Sequence, residues 1–428
     1  MLVALVIALL LVLLLAHVPV AFAIGIAAAV GLLAYGGPDM LLGIAETTPY
    51  SAVSYSLSAI PLFILMAQLI LHSGVAQNLF DAARVLVGRT PGGLGVATTL
   101  AGSLFSAICG SSTASAATLA STTIPEMTRR GYDARLANGL VAVVGTLAAM
   151  IPPSIVLVFY AVLAEESVGQ VLVAGFVPGA LVTAAIIATT LLLIWRKPHL
   201  APTAQAHSWR DKVRGLGAAG PIALLFLLVT GTIYVGVTTP TEAAALGVLG
   251  ALAIGLARRK LPLSALRAAV TETITSSVMI LMIITSAYLF GYFLTATRVT
   301  QQLVETISSI PAPALAIFAL IALIYLVLGF FMDQMAILAL TVPVALPVIE
   351  ELGFDPIWFG VIIVLLAEIG MVTPPLGLNV FVVSRASGRP TGEIFLGVLP
   401  FVIAMLLLVV VLTLWPGIVL WAPSTMAG

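Results

Sequence analysis

The chain has 428 residues, of which 61% are hydrophobic and only 8% are charged, against about 25% charged residues in an ordinary soluble domain. With a mean hydropathy of +1.22, this composition excludes a soluble globular enzyme, a disordered chain and a nucleic-acid-binding protein, and it indicates a polytopic all-α membrane protein. The 17 basic and 17 acidic residues cancel, and one cysteine with four scattered histidines argues against a disulfide framework or a metal centre.

The N-terminal apolar segment, residues 2–16, has the composition of a signal-peptide core. No basic residue precedes it, however, and no small-residue cleavage site follows it convincingly. The apolar pattern also resumes soon after His17. We therefore predict a first transmembrane helix that stays in the protein.

The predicted spans follow from the rule that a helix crossing a membrane needs about 20 mainly apolar residues. This rule predicts ten spans, at residues 2–16, 18–35, 55–73, 137–162, 172–195, 216–236, 239–257, 271–293, 357–383 and 396–421. The segments between them are too short for a folded domain outside the membrane. The protein is thus expected to lie almost entirely within the lipid bilayer.

Two other apolar stretches, residues 94–125 and 313–347, are too long for one helix and are broken near residues 109–113 and 329–334. We expect each half to be too short to cross, which predicts two re-entrant hairpins. Non-helical backbone at membrane depth persists only where protein or a water-filled cavity covers it. The tips are therefore candidate sites. The alternative is that each stretch forms two tightly connected full spans.

The two halves of the chain repeat at a shift of 222 residues. They align without a gap from Ser111 to Pro178, and the coincidences are mostly proline and glycine, which punctuate backbone geometry. Pro125 meets Pro347, for example, and the Pro-Pro pair at 152–153 meets the pair at 374–375. An ordered set of such matches indicates an internal duplication.

The duplication defines the predicted organisation. The first repeat covers residues 1–195 with its hairpin at 94–125, and the second covers residues 215–428 with its hairpin at 313–347. Because each repeat has five spans plus one hairpin, an odd number of crossings, the second repeat must be inverted. Residues 196–214 are predicted to be a solvated cytoplasmic linker between them.

Loop charges support the inversion, since basic residues prefer the cytoplasmic side. Thr128-Arg129-Arg130 in the first half corresponds to Glu350-Glu351-Leu352 in the second half, so the sign of the loop charge changes. With an outside N-terminus, 16 of the 17 basic residues fall in cytoplasmic loops, and only Arg298 lies outside.

Polar residues concentrate at the broken tips and at the Pro-Pro pairs. Each proline removes an N–H donor and frees a helical carbonyl. Freed carbonyls and hydroxyls are hard oxygen ligands that suit a small cation such as Na⁺. A single serine could equally bond a neighbouring carbonyl, but the matched clusters predict two quasi-equivalent cation sites, one per half. The first combines the tip around residues 110–115 with residues 145–154, and the second combines Asp333 with residues 370–379.

Two carboxylates lie at membrane depth, where ionisable residues are functional candidates by default. Asp333 is expected to bind a cation or carry a proton. Glu368 is expected instead to orient the broken helix by accepting backbone hydrogen bonds.

An inverted repeat with two broken hairpins is typical of secondary transporters, whose sites lie near the bilayer midplane. The sequence contains no P-loop, nucleophile–base pair or HExxH motif, so no enzymatic activity is expected and transport must be driven by an ion gradient. A channel built on the same repeat is the alternative.

Several strings carry a family resemblance: Cys109-Gly110-Ser111-Ser112, Gly145 through Ser154, Thr239-Pro240-Thr241-Glu242, Met332-Asp333, Glu368-Ile369-Gly370 and Thr373 through Asn379. Through them, and over nearly its whole length, the chain resembles the large membrane subunit of tripartite ATP-independent periplasmic (TRAP) transporters, the DctM-type permeases. The resemblance implies an elevator-type ion transporter of the bacterial inner membrane that imports organic acids, such as C4-dicarboxylates or sialic acids, driven by Na⁺.

The resemblance also implies partners and site residues. The expected partners are a separate small four-helix membrane subunit and a periplasmic substrate-binding protein; a carboxylate symporter that works without a binding protein is the alternative. No cofactor is expected besides the coupling ion. The first cation site would use Ser111, Ser112, Gly145, Ile151 and Pro152, and the second would use Asp333, Gly370, Thr373 and Leu376. The substrate would lie near Gly110, Thr113, Ser154, Gln334 and Asn379, and the broken helices would depend on Pro153, Pro374, Pro375 and Glu368.

Overall fold

The computed structural model describes residues 1–51, 55–74, 79, 80, 82, 83, 85, 92–202 and 209–426. In these residues every regular element is a helix, which confirms the predicted all-α fold. Arg84 and Arg89, two of the predicted cytoplasmic basic residues, lie outside the described residues, as does the middle of the predicted linker, residues 203–208.

The first half of the chain forms helices α1 to α9. They are α1 (Leu2–Leu15), α2 (Val20–Ser51), α3 (Ala59–His72), α4 (Gly93–Cys109), α5 (Ser112–Arg129), α6 (Ala134–Met150), α7 (Ile155–Leu163), α8 (Val168–Ala174) and α9 (Phe176–Arg196).

The second half forms helices α10 to α19. They are α10 (Trp209–Tyr234), α11 (Pro240–Ala257), α12 (Leu263–Ala296), α13 (Val299–Ser308), α14 (Ala314–Phe331), α15 (Gln334–Glu351), α16 (Pro356–Gly370), α17 (Leu378–Ser387), α18 (Thr391–Leu414) and α19 (Gly417–Ser424).

Helix starts follow from capping residues that the sequence repeats. Asp133 caps α6 by accepting from the backbone N–H groups of Arg135 and Leu136, at 2.9 and 3.2 Å. Its counterpart 222 positions on, Asp355, caps α16 in the same way. A side-chain acceptor at this position satisfies N–H groups that have no partner within the helix. The duplication is thus visible in local geometry as well as in sequence.

Several helices have the length and hydropathy of membrane spans. Seven described helices qualify, or eight if α6 and α7, which meet at a 44° bend, form one broken span. Helix α2 begins at Val20, close to the start of the predicted span at 18–35, and its backbone is non-helical at Gly37, where φ is +76°, so that two helical segments meet there at a kink. The short helix α13 lies between predicted elements and was not expected.

The hairpin arms are longer than the sequence analysis expects. Helices α14 and α15 each have 18 residues and the hydropathy of a full span, which corresponds to about 27 Å at 1.5 Å per residue. The expectation that each half is too short to cross is therefore wrong for this hairpin. Whether the stretches are hairpins or pairs of spans depends on where their tips lie, as described below.

The two halves interlock. Helix α2 packs on α12, and the corresponding helices of the other half, α11 and α3, pack on each other. Likewise α5 contacts α17, and α15 contacts α7. Such exchanged pairs are what a two-fold relation between the halves produces. The repeats share one core, and the predicted boundaries at residues 195 and 215 stay predictions.

Charged loops of the two halves meet at one end of the helices. Arg135, at the start of α6, lies 3.9 Å from Glu393, at the start of α18, and Arg389 lies 3.7 Å from the same carboxylate. Glu166 instead lies near two other acidic residues, Asp355 and Glu350. Basic loops of both halves thus share an end, as the predicted inversion requires.

Candidate functional site

The first hairpin tip is a sharp turn between α4 and α5. Gly110 has φ +62°, a left-handed conformation that glycine adopts without strain. Ser111 follows in extended conformation, and its hydroxyl accepts from the N–H of Ala114 at 3.4 Å, which caps α5. It also lies 3.4 Å from the hydroxyl of Thr113. The predicted polar tip therefore forms, with its hydroxyls at the N-terminus of a helix.

The second tip repeats this arrangement with a carboxylate. Asp333 is equivalent to Ser111, and its Oδ1 accepts from the N–H of Met335 at 2.9 Å, which caps α15. Gln334 is buried at 4% exposure, and its Oε1 has no hydrogen-bond partner among the described residues. An acidic cap and an unpaired amide oxygen thus stand where the first tip has Ser111 and Ser112.

The first helix break lies between α6 and α7, at residues 151–154. Pro152 and Pro153 carry no N–H, and the bond that joins them is cis. In a continuous helix the N–H of residue 153 would donate to the carbonyl of Ala149, but Pro153 has no N–H. The hydroxyl of Ser154 donates to this carbonyl instead, at 2.7 Å. The same hydroxyl accepts from the N–H of Leu157 at 3.2 Å and caps α7. Ser154 therefore satisfies one backbone group on each side of the break: a carbonyl at the end of α6 and an N–H at the start of α7.

The second break, at residues 371–377, also contains a cis Pro-Pro bond, between Pro374 and Pro375. The carbonyl of Met371 accepts from the N–H of Asn379 at 3.1 Å. Thr373 donates its hydroxyl to the carbonyl of Ile369 at 2.6 Å. A carbonyl oxygen has two lone pairs, so these bonds leave acceptor capacity for an ion.

Both tips line one cavity of about 280 Å³. Helices α3 and α12 supply most of the rest of the wall, and Ile155 and Met371 contribute to it from the two helix breaks. If each stretch were two full spans, the oppositely directed tips would lie at opposite membrane faces, so their meeting in one cavity favours the hairpins. The predicted residues in the wall are Gly110, Ser111, Ser112, Thr113, Asp333 and Gln334.

Other predicted residues of the first site lie behind this wall. A Cβ built on Gly145 would lie 3.0 Å from the Ser112 carbonyl oxygen, so only glycine lets α6 approach the tip this closely. Ile151 instead packs against Gly179 of α9. The structure thus brings Gly145 to the first tip, while the Ile151 side chain faces away from it.

The predicted residues of the second site are also divided. Gly370 packs directly on Gly329 near the end of α14, which holds the hairpin against the broken helix. Leu376 is 41% exposed. Asn379 is fully buried, and neither atom of its side-chain amide has a partner among the described residues.

Glu368 contacts the first hairpin tip. It was expected to accept backbone hydrogen bonds, but its Oε1 accepts from the hydroxyl of Ser112, 256 residues away in sequence. Its Oε2 has no partner among the described residues, and the side chain is fully buried. Glu368 therefore connects the two halves at the site, which its position in the sequence did not indicate.

Sequence reasoning missed the contribution of α3 and α12 to the cavity wall. Gln68 lines the cavity from α3, and its Oε1 is buried without a partner in the described part of the chain. Ser276 and Met279 line it from α12. A lone glutamine in the apolar run from Ala59 to Leu71 was the available signal, since polar groups within a span are seldom neutral in function.

The site offers mainly oxygen ligands. Among the described residues, no group of three or more His, Cys, Asp or Glu side chains could hold a metal ion. The polar atoms around the cavity are hydroxyls, carbonyls, amides and two carboxylates. These donors suit a hard monovalent cation better than a transition metal.

Comparison with known proteins gives the family. The profile of the tripartite ATP-independent periplasmic transporter, DctM component, matches residues 7–418. A C4-dicarboxylate TRAP transporter large permease protein, DctM, of Pseudomonas aeruginosa is 34% identical over 402 residues, which cover 94% of this chain and 93% of that protein. A sialic acid TRAP transporter large permease protein, SiaM, of Vibrio cholerae is 31% identical over 376 residues, covering 88% of each.

A further relative and a solved structure extend the comparison. An isethionate TRAP transporter permease protein, DctMQ, of Oleidesulfovibrio alaskensis is 32% identical, and the match covers 94% of this chain and 63% of that protein. The crystal structure of the YdaH transporter of Alcanivorax borkumensis has the same fold, with a TM-score of 0.64 at 18% identity over 89% of each chain. By its sequence, the chain belongs to the family of TRAP transporter large permeases, the DctM component.

Proposed function

We propose that this chain is the permease subunit of a Na⁺-coupled TRAP transporter that imports a carboxylate across the bacterial inner membrane. The observation that carries the proposal is the single cavity between the two hairpin tips. It has about 280 Å³, close to the lower end of the range of about 300–1,000 Å³ for ligand pockets. A small organic acid therefore suits it better than a large ligand.

An anionic substrate is supported by two helix N-termini. Helices α5 and α15 both begin at the cavity wall, at Ser112 and Gln334. The N-terminus of a helix carries partial positive charge and unpaired N–H groups, which bind carboxylates. Among the described residues that line the cavity there is no Lys or Arg. The helix ends and bound cations would therefore supply the positive charge that an acid needs.

Na⁺ coupling is supported by the oxygen-rich surroundings of both tips. At the first, the Ser112 carbonyl lies against Gly145, where a side chain would fill the space, and the hydroxyls of Ser111 and Thr113 lie 3.4 Å apart. At the second, Asp333 supplies a carboxylate to the cavity that Met371, at the start of the second break, also lines. We propose that these two regions hold one Na⁺ each, with Ile151, Pro152, Gly370 and Leu376 contributing, if at all, through backbone oxygens.

The relatives support a proposal for the substrate class and the partners. Their names specify C4-dicarboxylates, sialic acid and isethionate, all of which are small acids. We propose that the substrate is of this class, that a periplasmic binding protein delivers it, and that a small four-helix membrane subunit completes the transporter. Hairpin and broken helix would move together in an elevator-type cycle, with substrate near Gly110, Thr113, Ser154, Gln334 and Asn379.

Reconstitution tests the proposal. The chain is placed in proteoliposomes with its small subunit, and uptake of labelled succinate, N-acetylneuraminate and isethionate is measured with the cognate binding protein outside. We expect uptake of one of these acids only with an inward Na⁺ gradient, the small subunit and the binding protein together. Uptake by this chain alone, without Na⁺, would contradict the proposal, as would single-channel currents far above carrier turnover.

A further inference from the structure

Among the charged residues whose side chains the structure describes, Glu368 alone is buried. It is fully inaccessible, at the level of the hairpin tips. Its Oε1 accepts the Ser112 hydroxyl and its Oε2 has no hydrogen-bond partner among the described residues. The expected structural role, in which Glu368 accepts backbone hydrogen bonds at the helix break, explains neither the bond to Ser112 nor the unpaired Oε2.

An ionised carboxylate in this position needs a compensating positive charge. Burial of an unpaired charge is strongly unfavourable, and charged residues within the membrane occur almost only with partners. None of the ion pairs among the described residues involves Glu368. Its charged neighbour is Asp333, which carries the same sign. A mobile cation beside Glu368 would supply the missing charge.

The repeat shows that the broken helix itself does not require a carboxylate. The residue 222 positions before Glu368 is Thr146, which donates to the Val143 carbonyl at 2.7 Å within its own helix. The first half nevertheless forms an equivalent break. The two tips differ as well: the second has the carboxylate of Asp333 at the position where the first has the hydroxyl of Ser111. The first tip therefore lacks a carboxylate of its own and contacts one from the other half.

We propose that Glu368 is the anionic partner of the cation at the first tip, supplied across the repeat. Ser112 donates its hydroxyl proton to Oε1, which leaves the lone pairs of the Ser112 oxygen free for the ion. The charge of Glu368 then balances that ion, as Asp333 balances the ion at the second tip. Each cation site thus holds one carboxylate. This inference rests on the proposed Na⁺ coupling.

Equilibrium binding of radioactive Na⁺ to the purified chain in detergent tests the inference without transport. Glu368→Gln keeps the shape and the acceptor for Ser112 but removes the charge, whereas Glu368→Asp keeps the charge and shortens the side chain. We expect Glu368→Gln to raise the half-saturating Na⁺ concentration of one site by about tenfold or more, since a buried charge partner contributes at least that factor. Glu368→Asp should bind Na⁺ more tightly than Glu368→Gln.

The opposite order of affinities would overturn the inference. If Glu368→Gln binds Na⁺ as tightly as the wild-type protein and Glu368→Asp binds it more weakly, the shape of the side chain matters and its charge does not. If Glu368→Gln does not yield a monodisperse protein, Ser112→Ala decides, because loss of the oriented hydroxyl must also weaken Na⁺ binding, and unchanged binding overturns the inference. A wild-type chain without saturable Na⁺ binding would overturn the proposed coupling itself, and this inference with it. Saturable wild-type binding that Glu368→Gln leaves intact overturns this inference alone.

Discussion

The crossing of α6 and α18 joins the two halves of the chain without an intervening side chain. A Cβ built on Gly139 would lie 2.4 Å from the carbonyl carbon of Gly397 and 2.6 Å from its oxygen. A Cβ on Gly397 would lie 2.1 Å from the carbonyl oxygen of Arg135. Ordinary contacts of a Cβ begin at 3.4 Å. Gly139→Ala must therefore push the helices apart by about 1 Å, and the obstacle is backbone, which cannot rotate away.

The energetic consequence follows from close packing. Insertion of a methyl group into a packed interior costs about 1–3 kcal/mol, and contacts between small residues drive helix association in membranes. Alanine has a higher helix propensity than glycine by about 0.5–1 kcal/mol, which offsets part of this cost. We expect Gly139→Ala, and Gly397→Ala in the same way, to destabilise the protein by about 1–2 kcal/mol.

The assay is thermal unfolding of the purified protein in detergent, with Gly231→Ala as the matched control. Gly231 lies in α10, and a Cβ there would have no heavy atom within 4 Å. We expect a lower apparent Tm for Gly139→Ala and an unchanged or higher one for the control. Equal unfolding of the two variants would mean that the backbones do not meet at this crossing, and it would refute the packing argument.

Three further changes test the site and the surface. Asp333→Asn keeps a good helix cap but removes the charge, so uptake should need a higher Na⁺ concentration for half-maximal rate while expression is unchanged. Pro152→Ala restores an N–H donor and allows the helix to close over the break, so transport should fall. Burial, with repulsion from Asp355 and Glu350, raises the pKa of Glu166 above its usual value. Its ionised form is therefore disfavoured in the native state, and Glu166→Gln should raise thermal stability at neutral pH, an effect that disappears as the pH falls toward the ordinary Glu pKa of about 4.3.

Each of these predictions has a clear contrary result. An unchanged Na⁺ dependence in Asp333→Asn would remove this residue from the second cation site. Wild-type uptake by Pro152→Ala would mean that the break is only structural. A stability gain of Glu166→Gln that grows, rather than disappears, on acidification would reverse the sign of the pKa argument for that loop.

The sequence predicted the parts of the fold that depend on local chemistry. Glycine, proline and capping residues fix backbone geometry directly, so the tips at Gly110 and Asp333 and the breaks at the two Pro-Pro pairs lie where the pattern places them. The all-α membrane fold followed from composition. The length of α15 was misjudged, because this helix continues past Pro347 to Glu351, through a proline-containing and acidic turn that hydropathy alone treats as an end.

Long-range contacts could not be read from the pattern. The hydrogen bond between Ser112 and Glu368 joins residues 256 positions apart, and the cavity wall includes Gln68 and Ser276 from helices that show no motif. Such contacts depend on how the halves interlock, which the repeat implies only in outline. Asp333 was identified as a site residue because a carboxylate within an apolar stretch is conspicuous. The pairing of Glu368 with Ser112 was not predicted, because nothing in the sequence connects these two residues.

The charges around the cavity suggest why cation and substrate would bind together. Without cations, Asp333 in the cavity wall and Glu368, buried behind the wall at Ser112, would place two like charges near the cavity. These charges would oppose the entry of an organic acid despite the helix N-termini of α5 and α15. With one cation beside each carboxylate the repulsion is cancelled, and the helix N-termini then favour the anion. A substrate that binds only after its repulsion is removed must, by linkage, raise the affinity for the cations in return. Coupling would then arise from the placement of two carboxylates, one beside each hairpin tip, rather than from direct contact between ion and substrate.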